Sequence, residues 1–147
     1  MTKRERSAVS AGMRMASSGN GAGKSTDRGW PRALVVEADP GTQRVCREAL
    51  ESCRFVVDAV DSGVTALNVA RPNPPAIILM NMQLRDALGA DVIGWLRSNP
   101  ALKSTPIIAI SAVGENTANL SANGAVALLR KPISAAMIED AVRKALG

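Results

Sequence analysis

The chain has 147 residues, of which 46% are hydrophobic and only 2% aromatic, so we expect one domain with an aliphatic core. It contains no histidine, which excludes imidazole bases, phosphotransfer through a histidine of this chain and metal sites that need a histidine ligand. Tyrosine is also absent, so a row of aromatic rings for stacking nucleic-acid bases is excluded as well.

The positive charge is concentrated at the N-terminus. Residues 1–32 hold seven Lys or Arg and two Asp or Glu, whereas the remaining residues hold 11 of each kind. Residues 1–31 have no hydrophobic period, which predicts a disordered basic tail before a domain at 32–147. The dispersed charges favour a solvated tail, and weak nucleic-acid association is the alternative. We expect a cytoplasmic protein without membrane contact, because no apolar run is long enough to span a bilayer and no signal peptide is recognisable.

From residue 33 onward, short apolar runs alternate with helical stretches, a pattern typical of parallel strands joined by crossover helices. The predicted strands cover residues 33–36, 55–60, 76–80, 106–110 and 126–129. The predicted helices cover residues 41–53, 63–70, 89–98, 115–122 and 134–146. Asp58 favours an edge position for the second strand, and the poor helix formers of 115–122 predict a short or frayed helix. Ser134 is the expected N-cap of the last helix. The fold class is therefore α/β with a doubly wound, five-stranded parallel sheet.

Functional residues of such a sheet gather beyond the carboxyl ends of its strands. In this chain those positions hold two acids, an amide, a hydroxyl and an ammonium. They are Glu37, Ala38 and Asp39 after the first strand, Asn81 after the third, Ser111 after the fourth, and Lys131 with Pro132 after the fifth. We expect them to converge in one shallow cleft.

Four segments of the chain resemble the receiver domain of two-component response regulators, and they follow one another in that family's order and with nearly its spacing. They are residues 35–40 (VVEADP), 78–84 (ILMNMQL), 96–112 (LRSNPALKSTPIIAISA) and 129–133 (LRKPI). The resemblance covers residues 33–147 and implies a flavodoxin-like (βα)5 fold with strand order 2-1-3-4-5. It also implies roles for three matching residues, since Glu37 corresponds to an acidic metal ligand of the family, and Ser111 and Lys131 to the groups that contact the phosphoryl oxygens.

Three other positions depart from the family pattern. The phospho-acceptor position holds Asn81, and a neutral carboxamide is too poor a nucleophile to accept a phosphoryl group. The second acidic position holds Ala38, so Glu37 is the only carboxylate left to coordinate Mg²⁺ directly. Asp39 could contribute only through water, and we therefore expect no specific Mg²⁺ binding. Leu128 stands where the family's switch aromatic is expected. Since one engineered substitution at residue 81 would not explain the other two, the pattern favours a degenerate pseudo-receiver.

The resemblance implies a response-regulator function without enzymatic activity. We expect a stand-alone receiver-like protein that is not phosphorylated, needs no cofactor and acts through protein–protein interaction, for example through residues 115–122, the fifth strand and the last helix. The implied partners are a histidine kinase, a phosphotransfer protein, another receiver or a second copy of this chain. The alternative is a phospho-accepting receiver that uses Asp39 or Asp86. A further expectation is that Lys131 contacts Glu37 or the Asn81 oxygen and holds the cleft in one state.

Overall fold

The computed structural model describes residues 29–112 and 124–147 of the chain. Its strands are β1 (Arg32–Val36), β2 (Val56–Val60), β3 (Ile77–Asn81), β4 (Ile107–Ser111) and β5 (Ala125–Arg130). The helices in this part of the chain are α1 (Pro40–Ser52), α2 (Gly63–Ala70), α3 (Gly89–Arg97) and α4 (Ala135–Leu146). A single 3-10 turn, Pro100–Leu102, lies between α3 and β4.

All five strands are parallel and follow the order β2-β1-β3-β4-β5. The predicted flavodoxin-like topology is thus confirmed. The predicted edge position of the second strand is confirmed as well, and its Asp58 carboxylate accepts hydrogen bonds from the Arg32 guanidinium at 2.9–3.2 Å. Because β1, β3 and β4 lie inside the sheet, the carboxyl ends of these strands are neighbours.

Helices cover both faces of the sheet, which explains why the central strands are apolar along their whole length. Leu34, Ile78 and Met80 face the side covered by α2 and α3. Ala33, Ile77 and Leu79 face the opposite side, which α1 and α4 cover. We refer to these two layers as the α2/α3 side and the α1/α4 side.

Most predicted elements have the expected type, with ends displaced by at most one residue. The Ser134 hydroxyl accepts a hydrogen bond from the Met137 amide and caps α4 as predicted. Cys53, expected inside the first helix, instead follows its last residue as the C-cap. The predicted helix at 115–122 lies outside the described residues, and so does most of the predicted tail at 1–31. None of the described helices is long and apolar enough to cross a membrane.

Candidate functional site

The candidate site lies at the carboxyl end of the sheet, where β1, β3 and β4 stop side by side. Glu37 follows β1 directly, while Asn81 and Ser111 are the last residues of β3 and β4. All three side chains are buried although they are polar. The register brings Asn81 opposite Ile110, one residue before Ser111. The predicted convergence of these groups therefore follows from the ends of three adjacent strands.

The Glu37 carboxylate is the centre of the site. It is only 1% exposed, and burial of an ionised carboxylate requires partners that replace water. The Asn81 Nδ2 group donates to both carboxylate oxygens, at 3.1 Å and 2.8 Å. The Asp39 amide donates to Oε2 at 2.9 Å, and Lys131 Nζ lies 3.3 Å from Oε1. Three hydrogen bonds and one ion pair thus hold this acid in place.

Asn81 is used at both ends of its carboxamide. While Nδ2 donates to Glu37, Oδ1 accepts a hydrogen bond from the Gln83 amide at 2.8 Å. The two partners fix the orientation of the amide, because a carboxylate only accepts and a backbone N–H only donates. The side chain is 8% exposed. Asn81 therefore connects the end of β3 to the end of β1 through a hydrogen-bonded contact.

Lys131 reaches Glu37, as the sequence predicts, and no contact with the Asn81 oxygen is needed to hold it. Its own amide donates to the Ser111 carbonyl at 2.8 Å, which fixes the backbone after β5 beside the end of β4. The Lys131-Pro132 peptide bond is cis. Within the described residues the buried Ser111 hydroxyl has no hydrogen-bond partner. Lys131 and Pro132 also line a shallow cleft of about 420 Å³ with Asp39, Val45 and Ile133.

The two acids proposed as alternative acceptors both cap helices. Asp39 caps α1, because its Oδ2 accepts from the Thr42 amide at 2.9 Å and from the Thr42 hydroxyl at 2.7 Å. Asp86 caps α2 from a distant part of the chain, since its two oxygens accept from the Gly63 and Val64 amides at 2.8 Å and 3.0 Å. These hydrogen bonds hold the pKa of each carboxyl below its usual value.

Positions 38 and 128, where the family pattern predicts a carboxylate and an aromatic ring, hold alanine and leucine. Ala38 is half-buried between Glu37 and Asp39 and contributes only a methyl group. Leu128 is partly buried against the α2/α3 side of the core. Within the described residues no group of three or more His, Cys, Asp or Glu side chains is arranged to hold a metal ion.

Sequence reasoning missed the contacts of two residues that shape the site, since it did not single out Gln43 and considered Asp86 only as an alternative phospho-acceptor. Gln43, one turn into α1, donates its side-chain amide to the Glu37 carbonyl at 2.9 Å. Asp86 ties the loop after β3 to α2, a pairing across 22–23 residues. The Asp86 contact has no local signal, because it depends on how two segments more than 20 residues apart pack. Gln43 lies one helical turn from the capping Asp39, and that position is the only available hint.

A parallel sheet of this order, with an acid, a hydroxyl and a lysine at the ends of β1, β4 and β5, defines a receiver-type signalling domain. The family model of the response regulator receiver domain matches residues 33–143. The chain belongs to this family, and its domain is a receiver domain of two-component signalling. Membership implies interaction with signalling partners such as kinases or other response regulators.

Relatives and solved structures agree with this assignment. The chain is 28% identical over 116 residues to the polar-differentiation response regulator DivK of Brucella ovis, covering 78% of this chain and 94% of DivK. It is similar to a CheY-like receiver domain from Methylobacillus flagellatus, with 25% identity, a TM-score of 0.71 and coverage of 79% and 98%. It is also similar to the receiver domain of sensor histidine kinase PA1611 from Pseudomonas aeruginosa PAO1, with 26% identity, a TM-score of 0.73 and coverage of 80% and 98%.

Proposed function

We propose that this protein is a pseudo-receiver: it is not phosphorylated, catalyses no reaction, and conveys its signal in the cytoplasm by binding other signalling proteins. The observation that carries the proposal is the carboxamide of Asn81, which is bonded to Glu37 at one end and to the Gln83 amide at the other. A group that is both neutral and fully hydrogen-bonded is a poor acceptor for a phosphoryl group.

The donors around Glu37 also argue against a divalent cation. In the family, Mg²⁺ is held by carboxylates, and a solved relative, the PA1611 receiver domain, is described with a magnesium ion in its active site cleft. In this chain the Glu37 carboxylate is already paired with Lys131. Ala38 supplies only a methyl group, and Asp39 Oδ2 accepts from Thr42. The residues present therefore do not fit Mg²⁺, which prefers several oxygen ligands in near-octahedral geometry.

Contact with partners is the remaining way to transmit a signal. Without an aromatic ring at Leu128, the family's switch between inward and outward ring positions has no counterpart, so the surface formed by β5 and α4 stays in one state. Val126 on this surface is 56% exposed and offers an apolar contact. The candidate partners are a histidine kinase, a phosphotransfer protein, another receiver or a second copy of this chain, each bound independently of phosphorylation.

Incubation with acetyl phosphate followed by intact-mass measurement tests the absence of phosphorylation. We expect no adduct of 80 Da on the wild-type chain. The double variant Ala38→Asp/Asn81→Asp, which restores both missing carboxylates, is the matched positive control and is expected to gain the adduct in the presence of Mg²⁺. An adduct of comparable yield on the wild-type chain would overturn the proposal.

The acetyl phosphate experiment also tests the alternative that another acid, Asp39 or Asp86, is phosphorylated. If the wild-type chain gains the adduct, Asp39→Asn and Asp86→Asn variants show which carboxylate accepts the phosphoryl group. If it does not, the partner is sought with the full chain and with a variant lacking residues 1–31. Binding to nucleic acid that falls steeply with salt and disappears with the tail would instead assign the chain a role in nucleic-acid association.

A further inference from the structure

A second concave surface lies on the α2/α3 side of the sheet, on the face opposite α1 and α4. It has a volume of about 340 Å³, at the lower end of the range for ligand pockets. The residues that line it come from α2, α3, the 3-10 turn and the residues that directly follow the two helices. They are Leu67, Arg71, Trp95, Leu96, Asn99 and Pro100, with Ser98 and Leu102. We call this surface the α2/α3 groove.

The groove combines an apolar floor with an aromatic wall. Leu96 and Leu102 are buried and form part of the core, while Trp95 keeps 46% of its surface exposed. A large exposed aromatic ring beside a concave apolar surface is typical of a place where another molecule is bound. The floor and the indole together can cover one bulky apolar side chain.

The polar groups around this floor are donors. Among the described residues, the Arg71 guanidinium and the Trp95 indole N–H have no hydrogen-bond or ion-pair partner. Asn99 uses its Oδ1 to accept from the Ala101 amide at 3.0 Å, which leaves its NH₂ group without a partner in the same part of the chain. No lining residue is acidic. The groove thus presents one positive charge and several donors, and it is complementary to a carboxylate-bearing ligand.

We propose that the α2/α3 groove binds an acidic peptide segment of a partner protein, in which a bulky apolar side chain is flanked by carboxylates. The apolar side chain lies against Trp95 and Leu96, and a carboxylate pairs with Arg71. The chain's own residues 1–28 are a poor occupant, because they carry six Lys or Arg and two Asp or Glu and are repelled by Arg71. This recognition does not depend on the chemistry at Asn81, since the groove and the candidate site lie at different places on the sheet.

The test uses the full ¹⁵N-labelled chain and the pentapeptide Gly-Asp-Leu-Asp-Gly, acetylated and amidated at its ends. Titration is followed through the Trp95 indole resonance, which a Trp30→Phe variant distinguishes from the other indole signal. We expect saturable shifts with a Kd on the order of 1 mM. The uncharged counterpart Gly-Asn-Leu-Asn-Gly is expected to bind several-fold more weakly, and the affinity for the acidic peptide is expected to fall as salt is added.

A matched pair of variants tests the role of Arg71. Arg71→Glu replaces attraction by repulsion and is expected to weaken binding of the acidic peptide about tenfold. Arg44→Glu makes the same charge change at an exposed position of α1, on the opposite side of the sheet, and is expected to change binding less than twofold. Urea unfolding of both variants verifies that they are folded.

Four outcomes would overturn the proposal. They are the absence of a Trp95 shift at about 10 mM peptide, equal affinity for the uncharged peptide, equal weakening by the two variants, and groove resonances that move with protein concentration alone. The last result would assign the groove to contact with a second copy of the chain.

Discussion

Replacing Asn81 by aspartate should convert the central contact of the site from attraction to repulsion. The substitution places a second carboxylate oxygen where Nδ2 now lies, 2.8–3.1 Å from the Glu37 oxygens. At an effective dielectric constant of ~20, two unit charges ~3 Å apart repel by about 5 kcal/mol. Lys131 offsets part of this repulsion because it lies 3.3 Å from Glu37. We therefore expect the Asn81→Asp variant to lose about 3 kcal/mol of unfolding free energy at pH 8.

The loss should depend on pH with a definite sign. Repulsion within the buried pair raises the pKa of the new carboxyl group in the folded state above its unfolded value of about 3.9. The folded variant then binds more protons than the unfolded one between these two values, so its stability falls as pH rises through the raised pKa. We expect the deficit relative to wild type to be small near pH 4 and largest at pH 8.

Urea unfolding followed by tryptophan fluorescence, repeated from pH 4 to pH 8, measures this profile. Asn81→Leu is the matched control, since it removes the same hydrogen bonds without adding a charge and should give a flatter deficit. If the aspartate variant is no more sensitive to pH than the leucine variant, the repulsion between residues 37 and 81 is not the dominant effect and the reasoning is refuted.

Three further predictions concern residues outside the central contact. Arg97→Lys should lower the free energy of unfolding in urea by about 1–3 kcal/mol. The guanidinium donates to the carbonyls of Leu102, Thr105 and Gly124 at 2.6–2.9 Å, and an ammonium cannot bind all three in the same geometry; an unchanged midpoint would contradict this. Asp86→Ala removes the two hydrogen bonds that its carboxylate accepts from the first amides of α2, while the Ser62 N-cap remains, and should lower stability at pH 7. Because the pKa of Asp86 is lowered in the folded protein, the difference from wild type should shrink as pH falls below about 4; a constant difference would contradict it. Burial raises the pKa of the Cys46 thiol to about 12, so iodoacetamide at pH 8 should modify Cys46 only after unfolding. Peptide mass mapping measures the modification, and a modified Cys46 in the native protein would contradict its burial.

The type and order of the elements were predictable because the apolar pattern is strong. Continuous apolar runs such as residues 76–80 and 106–110 identify strands covered on both faces, and Asp58 identifies the edge. The ends were less certain, since β3 and β4 each extend one residue further than predicted, to Asn81 and Ser111. These extra residues are polar, so hydrophobicity alone ended each strand too early. The 3-10 turn at Pro100–Leu102 was also missed, because three residues are too few to produce a period.

The members of the site were predictable, whereas the bonds between them were only partly so. The rule that functional residues follow the carboxyl ends of parallel strands located Glu37, Asn81 and Lys131, which lie far apart in the sequence. The use of both ends of the Asn81 amide was not predictable, because it depends on the position of the Gln83 backbone. The contacts of the two aspartates also differ in how local they are. Asp39 caps the helix that follows it directly, whereas Asp86 binds the start of a helix that precedes it by more than 20 residues.

The hydrogen bonds between Asn81 and Glu37 also bear on how this chain could evolve. An asparagine codon becomes an aspartate codon through one base change, so the family's acceptor residue is a single mutation away. In this chain that step places like charges side by side while Ala38 supplies no further ligand for a cation that would neutralise them. A first mutation to the family's acceptor residue would thus lower the stability of this chain.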